Sequence, residues 1–275
     1  MIPGWATVLG LGLWMPGFPN ASAWREGQLT AEVVVPPQRL PVRLRRRASL
    51  LTRMVAEVGT QAAEQAGVSL QGLPLVMGSA YGELVTTMEM LNELQADQPL
   101  SPFRFHNSVH NTATGYLSMA TDSQAPATAL AAGNDTVAMV LQESLALLAD
   151  RGGAVLALVA DESLPLELAA TSTAPLSAAL VLHAIGDASA EALTPSSTPL
   201  AWLGDLRQEE DEHPSAERPV EESNPCATFL RLIAAVQDAR WAGAGPRAGT
   251  SPPRVQLTAG LVPRWSVCVS SSRET

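Results

Sequence analysis

The stretch APATALAAGNDTVAMVLQESLALLADRGGAVLALVADE, residues 125–162, decides the fold. Its first apolar run, 127–132, predicts a strand that leads through an elbow at Gly133 into a helix from Asp135 to Ala149. Two glycines end that helix, and the fully apolar run from Ala154 to Ala160 is typical of a strand buried on both faces of a parallel sheet. Strand, elbow, helix and strand in this order predict an α/β layered sheet.

The segments on either side continue the alternation. Apolar residues recur at helical spacing from Leu50 to Ala66, and Gly67 follows at a position where glycine commonly ends a helix. The patterns predict strands over 7–13, 73–79, 176–185 and 254–269, helices over 83–94, 112–121 and 227–241, and a polar and aromatic loop over 103–108.

Composition excludes several classes of function. The net charge is -10, and every basic residue is an arginine. Without lysine there is no P-loop lysine, no Schiff-base lysine and no serine–lysine pair. The acidic balance argues against binding to nucleic acid, which needs clustered positive charge. The histidines and cysteines do not have the spacing of metal ligands, so we expect no metal site.

We expect a cytoplasmic protein without a membrane span. No apolar run approaches the roughly twenty residues that a membrane-spanning helix needs. The apolar amino-terminal run lacks the basic residue that opens a signal peptide, since the first one is Arg25. In that compartment Cys226 and Cys268 are expected to be buried thiols, although a disulfide between them stays an alternative.

Six segments in collinear order resemble the amino-terminal half of β-ketoacyl synthases, from about residue 5 to residue 186. They are ATVLGLGL (6–13), RRRASLLTRMVAEVGTQAAEQAG (45–67), LPLVMGSAYGEL (73–84), FHNSVHNTATGYLSMAT (105–121), the opening stretch, and APLSAALVLHAIG (174–186). The order of the segments also resembles the short chain-length-factor-like proteins of bacterial aryl polyene clusters. The resemblance implies a thiolase-like fold, a layered mixed sheet with helices on both faces.

The resemblance also implies a domain organisation. Residues 1–203 form the ketosynthase-like domain, and 225–269 add a helix and a strand that complete it. The acidic, proline-containing segment 204–224 is interpreted as a mobile linker or insertion, and 270–275 as a tail.

In an active synthase of this family the nucleophilic cysteine stands at the elbow, where amides at a helix N-terminus lower a thiol pKa and stabilise an oxyanion. The resemblance places Asn134, beside Gly133, at that position. The two histidines and the lysine that a synthase takes from its carboxy-terminal half have no counterpart here. We therefore expect no catalytic residue. That Asn134 hydrogen-bonds an acyl carbonyl or malonyl group is a hypothesis.

The loop from Phe103 to Asn111 supplies further candidates for substrate binding. In synthases the matching loop runs beside the substrate channel and the dimer interface, which makes His106, His110 and Asn111 candidates, with the histidines as possible proton carriers. The alternative is that His110, Asn111 and Asn107 satisfy buried backbone groups in an interface loop.

The basic cluster Arg45, Arg46 and Arg47 has two interpretations. It is a candidate site for an acyl carrier protein, because arginine pairs well with phosphate and acidic side chains. It is otherwise a solvated start of a helix. No cofactor is expected beyond the phosphopantetheine that such a carrier protein bears. The carboxylates Asp161 and Glu162 are interpreted as ordinary charges at the end of a strand, pointing to opposite sides.

A partner subunit is expected because a synthase half normally packs against its carboxy-terminal twin. Without that twin, the apolar face of the helix 135–149 needs another subunit or the helix 227–241 to cover it. The resemblance implies a heterodimer with a complete β-ketoacyl synthase, and a homodimer is the alternative.

The sequence therefore predicts a non-catalytic, chain-length-factor-like subunit in polyketide or fatty-acid-type biosynthesis. One alternative is an acyl-thioester transferase or hydrolase that uses Ser79 or Thr136 with His110. A second is a scaffold that binds acyl carrier protein.

Overall fold

One eight-stranded sheet runs through the part of the chain that the computed structural model describes, residues 6–31, 34–165, 167–168, 173–185, 199–209, 224–241, 254–257 and 264–270. The strands are β1 (Ala6–Trp14), β2 (Leu75–Gly78), β3 (Ala127–Leu130), β4 (Ala154–Asp161), β5 (Leu176–Ala184), β6 (Ala201–Glu209), β7 (Arg254–Gln256) and β8 (Arg264–Ser270).

Eight α-helices are described. They are α1 (Ala21–Arg25), α2 (Val42–Arg45), α3 (Leu50–Ala66), α4 (Leu84–Gln95), α5 (Pro102–Asn107), α6 (Thr112–Thr121), α7 (Thr136–Arg151) and α8 (Thr228–Trp241). Single 3₁₀ turns cover Pro37–Arg39, Gly133–Asp135 and Pro225–Ala227.

The strand order is β3-β2-β4-β5-β1-β6-β8-β7. β2 pairs in parallel with β3 and with β4, whereas every other pairing is antiparallel. The carboxyl ends of β2, β3 and β4 consequently meet at one edge of the sheet. The segment that follows β3 at this edge is the elbow predicted from the sequence.

Helices cover both faces of the sheet, as the thiolase-like fold predicts. One hydrophobic cluster joins α7 and α8 to one face. A second cluster joins α3 and α6 to the other face. The predicted layered mixed sheet is confirmed.

Glycines let α3 lie directly on β1. A Cβ at Gly12 would stand 2.1 Å from the carbonyl oxygen of Val58, and a Cβ at Gly10 would stand at the same distance from that of Ala62. Two glutamines of α3 then reach strand amides: Gln61 Oε1 accepts from the Leu13 N–H at 3.1 Å, and Gln65 Oε1 from the Leu11 N–H at 2.7 Å.

The apolar face of α7 is covered by this chain itself, so of the two predicted covers, another subunit or the helix 227–241, the helix is the one observed. Its four large apolar residues are at most 6% exposed: Val137, Leu141, Leu145 and Leu148. They pack on the sheet in the same cluster as Phe229 and Ile233 of α8. The apolar surface that stays uncovered lies on α4, α5 and α6 instead, and is described below.

Three other regions differ from the prediction. The loop over 103–108 contains a short helix, α5, which begins at Pro102, a residue favoured at the first helical position. The single final strand is a pair of antiparallel strands, β7 and β8. The acidic segment begins inside β6, since residues 204–209 belong to that strand and 206–209 are paired with β8. Residues 210–223 and 271–275 lie outside the described residues.

Every described helix is too short or too polar to cross a membrane.

The close contact of β1 with α3 gives a test of the packing. We expect Gly12→Ala to lower the free energy of unfolding by about 2–3 kcal/mol, because the new methyl group collides with backbone that cannot yield. Gly115→Ala is the matched control, since a Cβ there meets nothing within 4 Å. It is expected to stabilise α6 by about 0.5–1 kcal/mol. Urea denaturation measures both, and equal stability of the two variants would contradict the described packing.

Candidate functional site

The elbow between β3 and α7 is a tight turn with both predicted residues facing outward. Gly133 has φ +54° and is exposed, as is Asn134. The Thr136 hydroxyl closes the turn, since it donates to the Gly133 carbonyl at 2.7 Å and accepts from the Ala132 N–H at 3.1 Å. The elbow therefore joins β3 to α7 as predicted and presents the amide side chain of Asn134 to solvent.

A buried carboxylate organises the strand ends beside this elbow. Asp161 is 1% exposed and accepts four hydrogen bonds, from the Ser79 hydroxyl (2.6 Å), the Ala80 N–H (3.2 Å), the Tyr81 N–H (3.1 Å) and the Cys226 thiol (2.9 Å). Burial raises the pKa of Asp161, and the four hydrogen bonds oppose that rise. The side chain thus ties the loop after β2 to the turn that precedes α8.

Asp161 and its neighbour are therefore more than strand-end charges, which corrects the interpretation from the sequence. Glu162 is 8% exposed, and its carboxylate accepts from the Leu51 N–H at 2.6 Å in the first turn of α3. Burial raises the pKa of Glu162 as well, while the Leu51 hydrogen bond and Arg53 lower it. The two carboxylates accept hydrogen bonds from different segments, and both are buried.

Cys226 lies beside the elbow in space, although nothing near it in the sequence indicates this. The turn Pro225–Ala227 contacts the elbow turn Gly133–Asp135 as well as β4 and α7. The thiol is 0% exposed, and burial, followed by the adjacent Asp161 carboxylate, raises its pKa well above the usual range. A thiol that stays protonated and has no access to solvent is not an activated nucleophile.

The two hydroxyls considered as alternative nucleophiles are also engaged. Ser79 is 0% exposed; its hydroxyl donates to Asp161 and accepts from the Gly82 N–H at 2.7 Å. Thr136 is 0% exposed, and its hydroxyl closes the elbow. His110 Nε2 lies 3.0 Å from the backbone carbonyl of Ser79, not from its hydroxyl. No nucleophile–base pair results from these three residues.

The loop candidates mostly make local contacts. The ring of His110 packs against Gly82, where a Cβ would come within 2.8 Å of the imidazole. His106 is exposed and packs its ring against Tyr116, with 6.2 Å between centroids. Asn111 is exposed at the start of α6, and its carbonyl accepts from the Gly115 N–H. The structure joins His110 to the loop after β2 but does not gather the three candidates into one pocket.

The arginine cluster divides into two parts. Arg45 donates from Nε and Nη2 to the Leu40 carbonyl at 3.2 and 3.1 Å, so its guanidinium is committed to its own turn. Arg47 places its guanidinium carbon 4.0 Å from the centre of the Phe103 ring, a cation–π contact. Arg46 is exposed, and so is Arg43 on α2. Of the three predicted carrier-binding residues, Arg46 and Arg47 are exposed and Arg45 is half-buried.

Metal ligands are not grouped in this region. Among the described residues, no three histidine, cysteine, aspartate or glutamate side chains are placed to hold a metal ion. Both cysteines are free thiols, Cys226 buried and Cys268 partly exposed.

Comparison with known families assigns most of the chain. Residues 21–243 match the family model for the β-ketoacyl synthase N-terminal domain. No curated protein sequence matches the chain significantly.

Solved structures with the same fold include two-component synthases. A chain of the complex between the ketosynthase ApeO and its chain length factor ApeC from Xenorhabdus doucetiae has a TM-score of 0.67 at 18% identity, covering 96% of this chain and 98% of its own. A chain of AntDE:AntF, a type II polyketide synthase acyl-carrier protein with its ketosynthase bound to the hexaketide, has a TM-score of 0.72 at 11% identity, covering 97% and 99%. The ishigamide ketosynthase/chain length factor has a TM-score of 0.59 at 17% identity, covering 85% and 73%. At these identities the similarity establishes a shared fold.

The role of the buried carboxylate can be tested directly. Asp161→Asn replaces one acceptor oxygen with an NH₂ group that faces donors. We expect it to lower the free energy of unfolding by about 3 kcal/mol, because buried donors lose their partner. Asp150→Asn, the same change at an exposed end of α7, is expected to alter stability by less than about 0.5 kcal/mol. Thermal or urea unfolding decides, and an unchanged Asp161→Asn variant would contradict the described network.

Proposed function

The chain belongs to the β-ketoacyl synthase N-terminal domain family, and on this premise we propose that it is a non-catalytic, chain-length-factor-like subunit that acts with a complete β-ketoacyl synthase. The observation that carries the proposal is the state of the groups at the elbow: the exposed residue is an asparagine, and the nearby hydroxyls and thiol are buried. Asn134 stands at the turn, the neighbouring hydroxyls of Ser79 and Thr136 are buried and hydrogen-bonded, and the Cys226 thiol is fully buried. A condensing enzyme needs an accessible, activated nucleophile at this place.

The partner surface that we propose is an exposed apolar patch on α4, α5 and α6. Seven of the twelve large hydrophobic side chains exposed in the described part of the chain fall between residues 91 and 119. This concentration indicates an interaction site, since exposed apolar residues on a monomer are normally scattered. We name the seven the α4–α6 patch: Leu91, Leu94, Leu100, Phe103, Phe105, Val109 and Met119.

The surroundings of the patch fit a protein partner. Phe105 is 64% exposed, and Phe103, 53% exposed, lies under the Arg47 guanidinium. Aromatic side chains and arginine are the residues most enriched at the centres of protein interfaces. β3, which α6 contacts, is the edge strand on this side of the sheet, and an edge strand offers unpaired backbone groups to another chain. The patch and the edge together form the proposed synthase interface.

An acyl carrier protein is the second proposed partner. The exposed Arg43 and Arg46 supply positive charge close to the patch on a chain that is otherwise acidic. Such an isolated basic site suits an acidic protein or a phosphate group. Phosphopantetheine enters the proposal only as the group carried by that protein.

The pathway forms part of the same proposal. Polyketide or fatty-acid-type biosynthesis, with aryl polyene synthesis as the specific expectation and the cytoplasm as its place, is supported by the fold shared with ketosynthase and chain length factor complexes. A transferase or hydrolase that uses Ser79 or Thr136 is less well supported, because both hydroxyls are buried in hydrogen bonds.

Substitution of the patch tests the synthase interface. We expect Phe105→Asp to weaken association with the co-expressed complete synthase at least tenfold, because burying an unpaired carboxylate at an interface centre is unfavourable. Light scattering and a binding titration measure the effect.

Leu29→Asp is the control for that experiment. Leu29 is also exposed, but it packs near Gly17 beside β1, away from the β3 edge. It should leave the affinity unchanged. Equal affinity for the Phe105→Asp variant and the unchanged chain, or a chain that stays monomeric with every co-expressed synthase, would contradict the proposed interface.

Charge reversal tests the carrier site. Arg46→Glu is expected to weaken binding of acyl carrier protein about tenfold at low salt and much less at high salt, since exposed charges are screened. Arg151→Glu, the same change at the exposed end of α7, serves as the matched control. If both variants bind the carrier as the unchanged chain does, Arg46 is not part of a carrier site.

A further inference from the structure

Glu83 is a buried carboxylate at the junction of two helices. It is 2% exposed and stands immediately before α4. Its Oε1 accepts from the hydroxyls of Ser49 (2.7 Å) and Thr52 (3.5 Å), and its Oε2 accepts from that of Thr86 (3.3 Å). Ser49 is the N-cap of α3, where its hydroxyl accepts from the Thr52 N–H at 3.0 Å. One carboxylate therefore joins the first turns of α3 and α4.

Hydroxyl groups suit this carboxylate in either protonation state. A hydroxyl can donate to an ionised oxygen, and it can rotate to accept from a protonated one. Within the described part of the chain Glu83 forms no ion pair, so its charged form is buried without a cation in contact. Such a charge is costly to keep inside the protein, and protonation removes the cost.

The other charged or titratable groups around this junction come from several elements. The negative charge of Glu162, at the end of β4, raises the pKa of Glu83. The charge of Glu83 in turn raises the pKa of Tyr116 on α6. Arg53 on α3 and Glu89 on α4 act on the Glu162 carboxylate in opposite directions, and Arg47 acts on Tyr116.

The junction is continuous with the α4–α6 patch. Glu83 begins α4, whose outer face carries Leu91 and Leu94. Further along, Glu93 and Glu89 of α4 pair with Arg104 of α5, which keeps the two helices together. A change at the first turn of α4 therefore acts on the helix that carries two of the seven patch residues and is paired with α5.

We propose that Glu83 is a proton-linked clasp: protonated, it holds the start of α4 against α3, and ionised, it lets the first turn of α4 open to water. The inference rests on the proposed function only in naming the surface that opening would disturb. The clasp itself is a property of this chain alone.

The direction of the pH effect follows from the burial. Burial, which outweighs the hydrogen bonds from Ser49 and the two threonines, raises the pKa of Glu83 from 4.5 to about 7. For an acid whose pKa is raised in the closed form, closure is fully favoured below about pH 4.5 and weakens as pH rises to about 7 and beyond, then levels off. Between pH 6 and pH 8 the opening equilibrium should increase about tenfold.

Hydrogen exchange of the full-length chain tests the clasp. After correction for the intrinsic exchange rate, the Thr87 amide, whose bond to the Glu83 carbonyl closes the first turn of α4, should lose about tenfold in protection between pH 6 and pH 8. Glu83→Gln should make this protection independent of pH, and Glu89→Gln, the matched change on the exposed side of the same helix, should keep the dependence. Equal pH dependence in the unchanged chain and in Glu83→Gln, or none in either, would overturn the proposal.

A measurement on the unchanged chain guards against a misfolded variant. The side-chain carboxyl carbon of Glu83, observed by NMR, should titrate with a midpoint near 7, and a midpoint near 4.5 would overturn the proposal. Neither experiment includes a synthase. Failure of the clasp is therefore distinguishable from failure of the proposed function. The proposed function is tested separately, by comparing how the unchanged chain and the Phe105→Asp variant bind a synthase.

Discussion

The buried carboxylate of Asp161 is the interaction on which the carboxyl edge of the sheet depends. It binds the loop after β2 through the hydroxyl of Ser79 and two amides, and it binds the turn before α8 through the thiol of Cys226. A single side chain thus joins segments from the middle and the end of the chain. The turn Pro225–Ala227 also contacts the elbow and covers its inner side, while Gly133 and Asn134 on its outer side are exposed to solvent.

Burial determines the state of the nucleophilic groups beside the elbow. From the sequence, the resemblance to synthases places Asn134 at the elbow, where an active synthase has its nucleophilic cysteine. The structure adds that a cysteine from the carboxy-terminal segment does lie beside the elbow, yet burial and a neighbouring carboxylate keep its thiol protonated. The Cys226 thiol is engaged in a structural hydrogen bond to Asp161. Under the proposed function, the condensation takes place on the partner synthase.

The sequence predicted those parts of the fold that follow from local periodicity. α3 was predicted at its observed bounds, and the elbow, α7 and β4 to within about two residues, because apolar spacing and terminal glycines determine such elements. α2 and α5 were missed because helices of four to six residues have too few turns for a period. β6 was not predicted, because its polar end merges with the acidic segment, and strand pairing with β8 overrides that composition.

The parts of the site that could not be predicted from the sequence depend on long-range contacts. Asp161 and Cys226 are 65 residues apart, and nothing in either neighbourhood indicates that they meet. The apolar stripe of α7 could be predicted from the sequence, but which of its two predicted covers, another subunit or α8, lies on it depends on long-range packing that local periodicity does not determine. Glu83 resembles any surface glutamate in sequence, and only its three hydroxyl partners reveal a buried charge.

Intact-protein mass spectrometry tests the central claim most directly. The chain and a co-expressed complete β-ketoacyl synthase are incubated together with an acyl-loaded carrier protein, and each polypeptide is weighed. The account predicts an acyl adduct on the synthase and none on this chain, alone or in the complex. An acyl adduct on this chain, mapped to Ser79, Thr136 or Cys226, would contradict it.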